Sequence, residues 1–303
     1  IAHRVGDPHR GAARLTSSGS VPTVHVSEIW RYPVKSMIGE PVEAAELVDD
    51  GMVGDRMWAA RDEVRGGIRG AKKIGALMRL AAAYDDGPGS AVTITLPDGT
   101  CVRAGEDGAD QAVSTALDHQ VTLWPRMPAT DLDHYRRGAP DSDDLLAELQ
   151  SIFGREPDEP LPDLSVFPPE IIEYESPLGT YYDAFPLMIM STSAFRSMAE
   201  AVPDSVIDVR RFRPSLIVDT GDRGGHPELD WIGSRVSVGE VELEIVTGCP
   251  RCVMVTREID DAVPGDRAIL RHIVRDLDQI VGVYARIVRN GTIRVSDPVT
   301  VDR

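Results

Sequence analysis

The chain has three cysteines, at 101, 249 and 252, in 303 residues. That is too few for a disulfide scaffold at this length and fits a reducing compartment, so a cytoplasmic protein is expected. No apolar run approaches the ~18 residues that would mark a membrane span, and the N-terminus lacks the charged-then-apolar pattern of a secretory signal. The seven histidines, at 3, 9, 25, 119, 134, 226 and 272, never pair at the short spacing of a zinc site. Positive charge is scarce as well. With 32 Lys and Arg against 49 Asp and Glu, the formal net charge is -17. Nucleic acid and anionic membranes are therefore not expected partners. A local cluster of cations in such a chain needs a reason.

What is present is a hydrophobic fraction of 42%, enough for a sizeable core and, at this length, two lobes. Residues 1–21 lack hydrophobic periodicity and read as a disordered leader or a remnant of expression. From Val24 the text reads as strands: 24–30, 42–47, 54–60, 78–84 and 92–96. Asp98-Gly99 then turns into Cys101-Val102-Arg103, a helix is expected over 107–117, and a further strand over 121–124. Residues 22–125 are thus expected to form a β-barrel-like N-terminal domain. Residues 126–180 form a connecting segment. In it, Ser142-Asp143-Asp144 can cap a helix through Phe153 with Leu145, Leu146, Leu149 and Ile152 on one face, and a Pro-rich linker or lid follows. The second domain, 181–303, has strand candidates at 187–190 and 216–219 and a helix capped by Ser191-Thr192-Ser193. It also has a helix over 268–279 and a hairpin over 284–295 around Asn290-Gly291. The fold class expected is mixed and predominantly β, two β-barrel-type lobes with peripheral helices.

The chemistry is concentrated in Gly248-Cys249-Pro250-Arg251-Cys252. Gly248 and Pro250 mark a sharp turn between a β-rich region, 236–246, and the apolar run Val253–Thr256, read as a strand. Thiolates on a tight backbone backed by the Arg251 cation suit a soft metal or sulfur chemistry. A structural zinc would need two further ligands that the sequence does not supply at suitable spacing, and a thioredoxin-like pair would open a helix. Elsewhere, Arg210-Arg211-Phe212-Arg213-Pro214 is the densest basic cluster, and Lys35-Ser36 and Arg56 stand just outside strands. Each arginine taken singly could simply pair with a surface acid. Together, with hydroxyl donors Ser36 and Ser191 or Thr192, they could converge on one anion.

These stretches resemble a known family. RYPVKS at 31–36, GDRMW at 54–58, RRFRP at 210–214, GCPRC at 248–252 and the closing VGVYARIVRNGTIRVSDPV at 281–299 are similar to the MOSC-domain proteins with an N-terminal β-barrel domain. That group includes the mitochondrial amidoxime-reducing components and their bacterial relatives, and the resemblance covers residues 24–300. It implies a molybdenum cofactor, molybdopterin with its phosphate, bound between the lobes. Cys252 matches the thiolate that ligates molybdenum in the reductase members. Lys35, Ser36, Arg56 and Arg213 match residues that hold the pterin and phosphate, with Arg211 and Ser191 or Thr192 as helpers. Ser215 stands where the family usually carries an amide, which implies a shorter or water-bridged pterin contact.

The activity implied is reduction of small N-hydroxylated or N-oxide substrates, with electrons from a separate ferredoxin- or flavoprotein-type protein. Asp183, before Phe185-Pro186, is a candidate proton donor, although a turn-capping role is the plainer reading. Two other readings remain at this point: a persulfide carrier using Cys252, and a non-catalytic carrier of the cofactor.

Overall fold

A computed structural model of the chain describes residues 24–302 apart from Pro168. The expected leader, 1–21, lies outside the described residues. Strand outweighs helix, as the short alternating apolar stretches predict. The largest sheet has eight strands, in the order Val299–Asp302, Arg235–Val238, Val241–Pro250, Ile280–Arg289, Leu187–Ser191, Leu216–Asp219, His25–Arg31 and Glu40–Val42. The segment leading into Val299–Asp302 returns to His25–Arg31: His25 bridges Pro298, and the Val26 N–H donates to the Asp297 carbonyl at 2.9 Å. One pair, Leu187–Ser191 with Leu216–Asp219, is parallel, and the Thr192–Ala201 helix lies in its crossover. Smaller sheets join Gly291–Arg294 to Ala44–Val48 and Gly51–Met52, Trp58–Asp62 to Val121–Pro125, and Ala81–Tyr84 to Val92–Thr95 and Cys101–Arg103.

The central strand Leu187–Ser191 is buried throughout and shows how the layers are built. Its side chains alternate between faces. Leu187 and Ile189 enter a core with Val26, Ile29, Leu216 and Ile293, beneath the small sheet that carries Leu47 and Met52. Met188 and Met190 enter a second core on the opposite face, under the helices Thr192–Ala201 and Ala268–Asp276. A third core, around Val34, Met78, Ile94 and Val113, fills the N-terminal small sheets.

Several local expectations are corrected. The 284–295 hairpin does not form: Ile280–Arg289 pairs on both sides within the large sheet, while Gly291–Arg294 pairs with Ala44–Val48. Neither Asn290 nor Gly291 has the positive φ that a type I′ hairpin turn requires. The 42–47 stretch splits into Glu40–Val42 and Ala44–Val48, which serve different sheets. Val253–Thr256 is a 3-10 turn rather than a strand, with Met254 and Val255 buried. A four-residue apolar run does not distinguish the two. Gly248 to Pro250 complete a strand, and the turn follows at Arg251-Cys252. Gly248 has extended backbone, and its need for glycine is steric: a Cβ there would lie 2.5 Å from Ile280 Cγ2. On the Leu145–Phe153 helix, Leu145 and Leu146 face solvent, while Glu148 takes a buried position by pairing with Lys73.

Gly282 is the least replaceable backbone position near the centre of the sheet. It has φ +79, and a Cβ would meet Met190 Cγ at 2.8 Å and the Ile189 carbonyl at 2.9 Å. Gly282→Ala should therefore cost about 1–3 kcal/mol of unfolding free energy. Urea denaturation of the two proteins checks this, and equal midpoints would contradict it.

Candidate functional site

Sheet register assembles the site. The antiparallel pairing Ile29↔Leu216 sets the residues that follow His25–Arg31 beside those that precede Leu216–Asp219. Tyr32 thus meets Pro214, and its hydroxyl donates to the Pro214 carbonyl at 2.9 Å. The parallel pairing Ile189↔Leu216 brings the entry to the central strand, Asp183 to Met188, to the same end. Met188 is opposite Tyr284, and Tyr284 is opposite Thr247, which places Cys249 in the same row. The resulting cleft is lined by Arg56, Asp183, Arg213, Cys249, Arg251 and Cys252, together with apolar side chains that include Met188 and Tyr284.

At one end of the cleft the cations converge. The Arg213 guanidinium lies over the Tyr32 ring, 4.2 Å from its centroid, and Arg56 lies 5.2 Å from the same ring. Arg56 pairs with Asp55, whose other oxygen accepts from the Tyr32 backbone N–H at 2.7 Å. Arg213 has no such carboxylate; its guanidinium donates to the Met37 carbonyl. Burial, reinforced by the neighbouring Arg56 charge, pulls Arg213 down to about 10. It is still a cation at neutral pH, but one whose charge has little solvent to stabilise it. Lys35, also buried, donates to the Tyr181 carbonyl at 2.9 Å and to Asp183 at 2.8 Å. Ser36, Arg56 and Arg213 all have positive φ, at 68°, 49° and 57°. Left-handed backbone at a non-glycine residue costs of order 1–3 kcal/mol, and such strain clusters at functional sites.

At the other end lie the thiols. Cys249 is buried and accepts a hydrogen bond from Arg251 Nη1 at 3.2 Å, with Tyr284 against its other side. Burial, with the adjacent Cys249, holds the Tyr284 hydroxyl well above its ordinary range, so that it stays protonated. Cys252 is half-buried at the cleft wall, the more accessible of the two sulfurs. Arg251 sits behind both thiols, and its Nε is buried without a partner.

Other expected site residues lie elsewhere or are committed to structural contacts. Ser191 and Thr192 stand at the far end of the central strand, about 13 Å from Leu187 at ~3.3 Å per residue. Ser191 caps the following helix and pairs with the buried Glu228, while Thr192 donates to Asp219. Arg211 also borders the cleft, but its guanidinium is committed to structural contacts. Its guanidinium donates to the carbonyls of Val206, Val255, Arg257 and Pro264. Ser215 accepts from the Met188 N–H and is buried between strands. Ser36 accepts from the Ala71 N–H at 2.9 Å, fixing the loop that carries Lys72. Asp183 bridges Lys35 and Lys72, at 2.8 and 3.3 Å. Burial raises it, but these two cations outweigh that effect and hold its carboxyl well below the usual range, which does not suit a proton donor.

Comparison with known proteins matches the MOSC domain to residues 179–300 and the MOSC N-terminal beta barrel domain to residues 23–125. The chain is a MOSC-domain protein. Similar proteins include mitochondrial amidoxime reducing component 2 of Bos taurus, 23% identical over 90% of this chain and 82% of that one. Mitochondrial amidoxime-reducing component 1 of Homo sapiens is 24% identical over 99% and 88%. Among solved structures, the YuaD protein from Bacillus subtilis aligns over 92% of this chain and 95% of its own, at 12% identity and a TM-score of 0.43.

Several residues in or around the cleft of this MOSC protein escape sequence reasoning. Tyr284, which lines it, and Tyr32, behind Arg213, read there as ordinary aromatics, and Lys72, Arg155 and Arg257, around the cysteine loop, as unremarked charges. The basic stretch Arg69 to Lys73 offered a signal, beside the Lys35 turn it folds against.

The two neighbouring arginines should separate by experiment. Arg211→Ala deprives four carbonyls of their guanidinium donor, that of Val255 fully buried, and should cost about 2–5 kcal/mol of stability. Arg213→Ala should cost less in urea denaturation, because it deprives only the Met37 carbonyl. A larger loss for Arg213→Ala than for Arg211→Ala would reverse the assignment of structural and binding roles.

Proposed function

We propose that the chain is a molybdenum-cofactor-dependent reductase that cleaves the N–O bond of small N-hydroxylated compounds, using electrons from a separate donor protein. The observation that carries this reading is the convergence of Arg56 and Arg213, both on strained backbone, with an accessible thiol in one cleft. Relatives named amidoxime-reducing components support the same direction.

The residues fit such a cofactor on chemical grounds. Arg213 donates to a carbonyl, and Arg251 to a carbonyl and a thiol, so both retain charge for an anion such as the pterin phosphate. Among the described residues no three His, Cys, Asp or Glu side chains converge into a metal site. A metal held by Cys252 would thus draw its remaining ligands from a dithiolene or from oxygen, and soft thiolate donors suit that arrangement. Cys249, committed to Arg251 and Tyr284, would support the loop rather than bind. When bound, the cofactor supplies the two-electron chemistry that converts N–OH, with two protons, to N–H and water. The chain's own residues divide the remaining work. Lys35, Arg56 and Arg213 would hold the anionic part, and Asp183 would fix Lys35 and Lys72 in position.

Metal and pterin analysis of protein from a molybdenum-replete host tests the reading, with amidoxime reduction by an artificial electron donor as the activity. Cys252→Ala should abolish activity and weaken metal retention, and Cys249→Ala should be milder. Equal losses would indicate a two-cysteine site of another kind, and sulfane sulfur on Cys252 without metal would indicate a sulfur carrier. Arg213→Ala should lower cofactor occupancy by the loss of a charge-assisted contact of ~1.5–3 kcal/mol.

A pH dependence follows as well. Anion binding needs protonated Arg213, whose pKa is depressed to about 10 by burial, so cofactor retention should be flat through neutral pH and fall as pH rises through about 10. Retention measured by dialysis at graded pH reads this, and a fall already near neutrality would exclude Arg213 as the controlling group.

A further inference from the structure

Around the cysteine loop at the sulfur end of the cleft stand three cations that the cofactor assignment does not use, Lys72, Arg155 and Arg257, in addition to Arg251. Cys252 caps the 3-10 turn Val253–Thr256 at its start, and Arg257 follows that turn at its end. Arg257 donates to the Lys72 carbonyl at 3.1 Å, and its Nε is buried without a partner. Arg155 donates to the carbonyl of Arg251, the residue before Cys252, at 3.2 Å, and to the Gln279 side chain at 2.8 Å. The fields of Lys72, Arg155, Arg251 and Arg257 all reach the Cys252 sulfur.

Charge at this end does not balance. Lys35 and Lys72 share one directly paired carboxylate, Asp183; the more distant Glu175 and Glu159 also act on this group but are themselves paired with Arg137 and Arg271. Arg155, Arg251 and Arg257 spend their hydrogen bonds on carbonyls, an amide and a thiol. In a chain with 49 acidic residues, arginines held by neutral acceptors keep a full charge in a poorly solvated place. That arrangement disfavours the empty state and favours an anionic guest.

We propose that Lys72 and Arg257, backed by Arg155 and Arg251, form a second anion site beside Cys252 that selects substrates carrying a carboxylate, phosphonate or sulfonate close to the reacting N–O group. The reaction it serves rests on the reductase reading above; the site itself does not. Lys72 is 24% exposed and half-buried Arg257 lies next to it, so these two reach the guest, while the more deeply buried Arg155 and Arg251 contribute field.

Two measurements test the site separately from the reaction. In the first, cofactor-free full-length chain is alkylated with iodoacetate or iodoacetamide, and modification of Cys252 is followed by mass spectrometry. The ratio of the two rates, relative to that for the same cysteine in the urea-unfolded chain, isolates selection for the anionic reagent, because thiolate content affects both reagents equally. The folded chain should favour iodoacetate by roughly tenfold or more at low salt, the lower end of electrostatic focusing in a charged cleft. The preference should shrink at high salt, as screening requires. It should also fall in Arg257→Gln and in Lys72→Gln, and be largely restored in Arg257→Lys. A ratio equal to that of the unfolded chain, or one insensitive to both charge and salt, overturns the proposal.

In the second, the cofactor-loaded chain is given benzamidoxime and its 4-carboxy derivative. A higher kcat/KM for the carboxylate, lost in Arg257→Gln, supports the substrate class, and equal use of the two removes it. If no amidoxime is reduced while the alkylation preference stands, the reductase reading fails and the anion site survives.

Discussion

Burial of positive charge without a matching carboxylate is the constraint on which the site depends. Arg213, Arg251, Arg155 and Arg257 are held by carbonyl, amide and thiol acceptors. Such acceptors orient a guanidinium without neutralising it. A chain of this acidity could have paired each of them, as it pairs Arg69 with Asp62 and Asp141, or Arg210 with Asp208 and Asp260. The contrast separates two uses of arginine. Arg69 and Arg210 are tied to carboxylates away from the cleft, whereas Arg213 and Arg251 line it with neutral acceptors; Arg56 lines it paired to Asp55, and Arg211 spends its guanidinium on structural carbonyls. Leaving them without a carboxylate costs stability, and under the proposed function an anionic guest would offset that cost.

The fold makes this arrangement possible by putting strand ends, not strand faces, at the site. Tyr32 follows one strand, Ser215 precedes another, Asp183 leads into a third, and Cys252 follows a fourth. The strands are fixed by buried, alternating apolar side chains, and the segments just beyond them are free to take unusual backbone. Ser36, Arg56 and Arg213 use that freedom, each with positive φ. The large sheet supplies the rigidity that holds them there. Its strands come from both the N-terminal and the C-terminal matched regions, so neither region alone could position Arg213 over Tyr32.

Much of this was legible from residue types alone. Alternating apolar residues located most strands, and Asp98-Gly99 and the Ser191 cap behaved as their chemistry dictates. Arg56, Arg213 and the paired cysteines, singled out by residue type, line one cleft. What was not legible depends on side-chain direction. Arg211 and Arg213 are two residues apart in one basic cluster, yet a left-handed residue at 213 sends one guanidinium toward Tyr32 while the other clamps carbonyls. Ser191 looked suitable by composition but occupies the wrong end of its strand. Asn290-Gly291 looked like a hairpin, but both edges of the preceding strand were already taken. Composition identifies a residue's chemistry; only register tells which end of the sheet receives it.

The two cysteines show the same division on the smallest scale. They are three positions apart, and in sequence they look interchangeable. Cys249 still belongs to the strand, where Tyr284 of the neighbouring strand and the returning Arg251 enclose its sulfur. Cys252 lies past the strand end, at the start of the 3-10 turn, and is half-buried at the cleft wall. One thiol therefore sets the position of a cation, and the other stands beside that cation with its sulfur accessible. Because the strand ends before Cys252, its sulfur is the more accessible of the two, and under the proposed function it is the one that a metal would meet, among arginines that favour an anionic ligand.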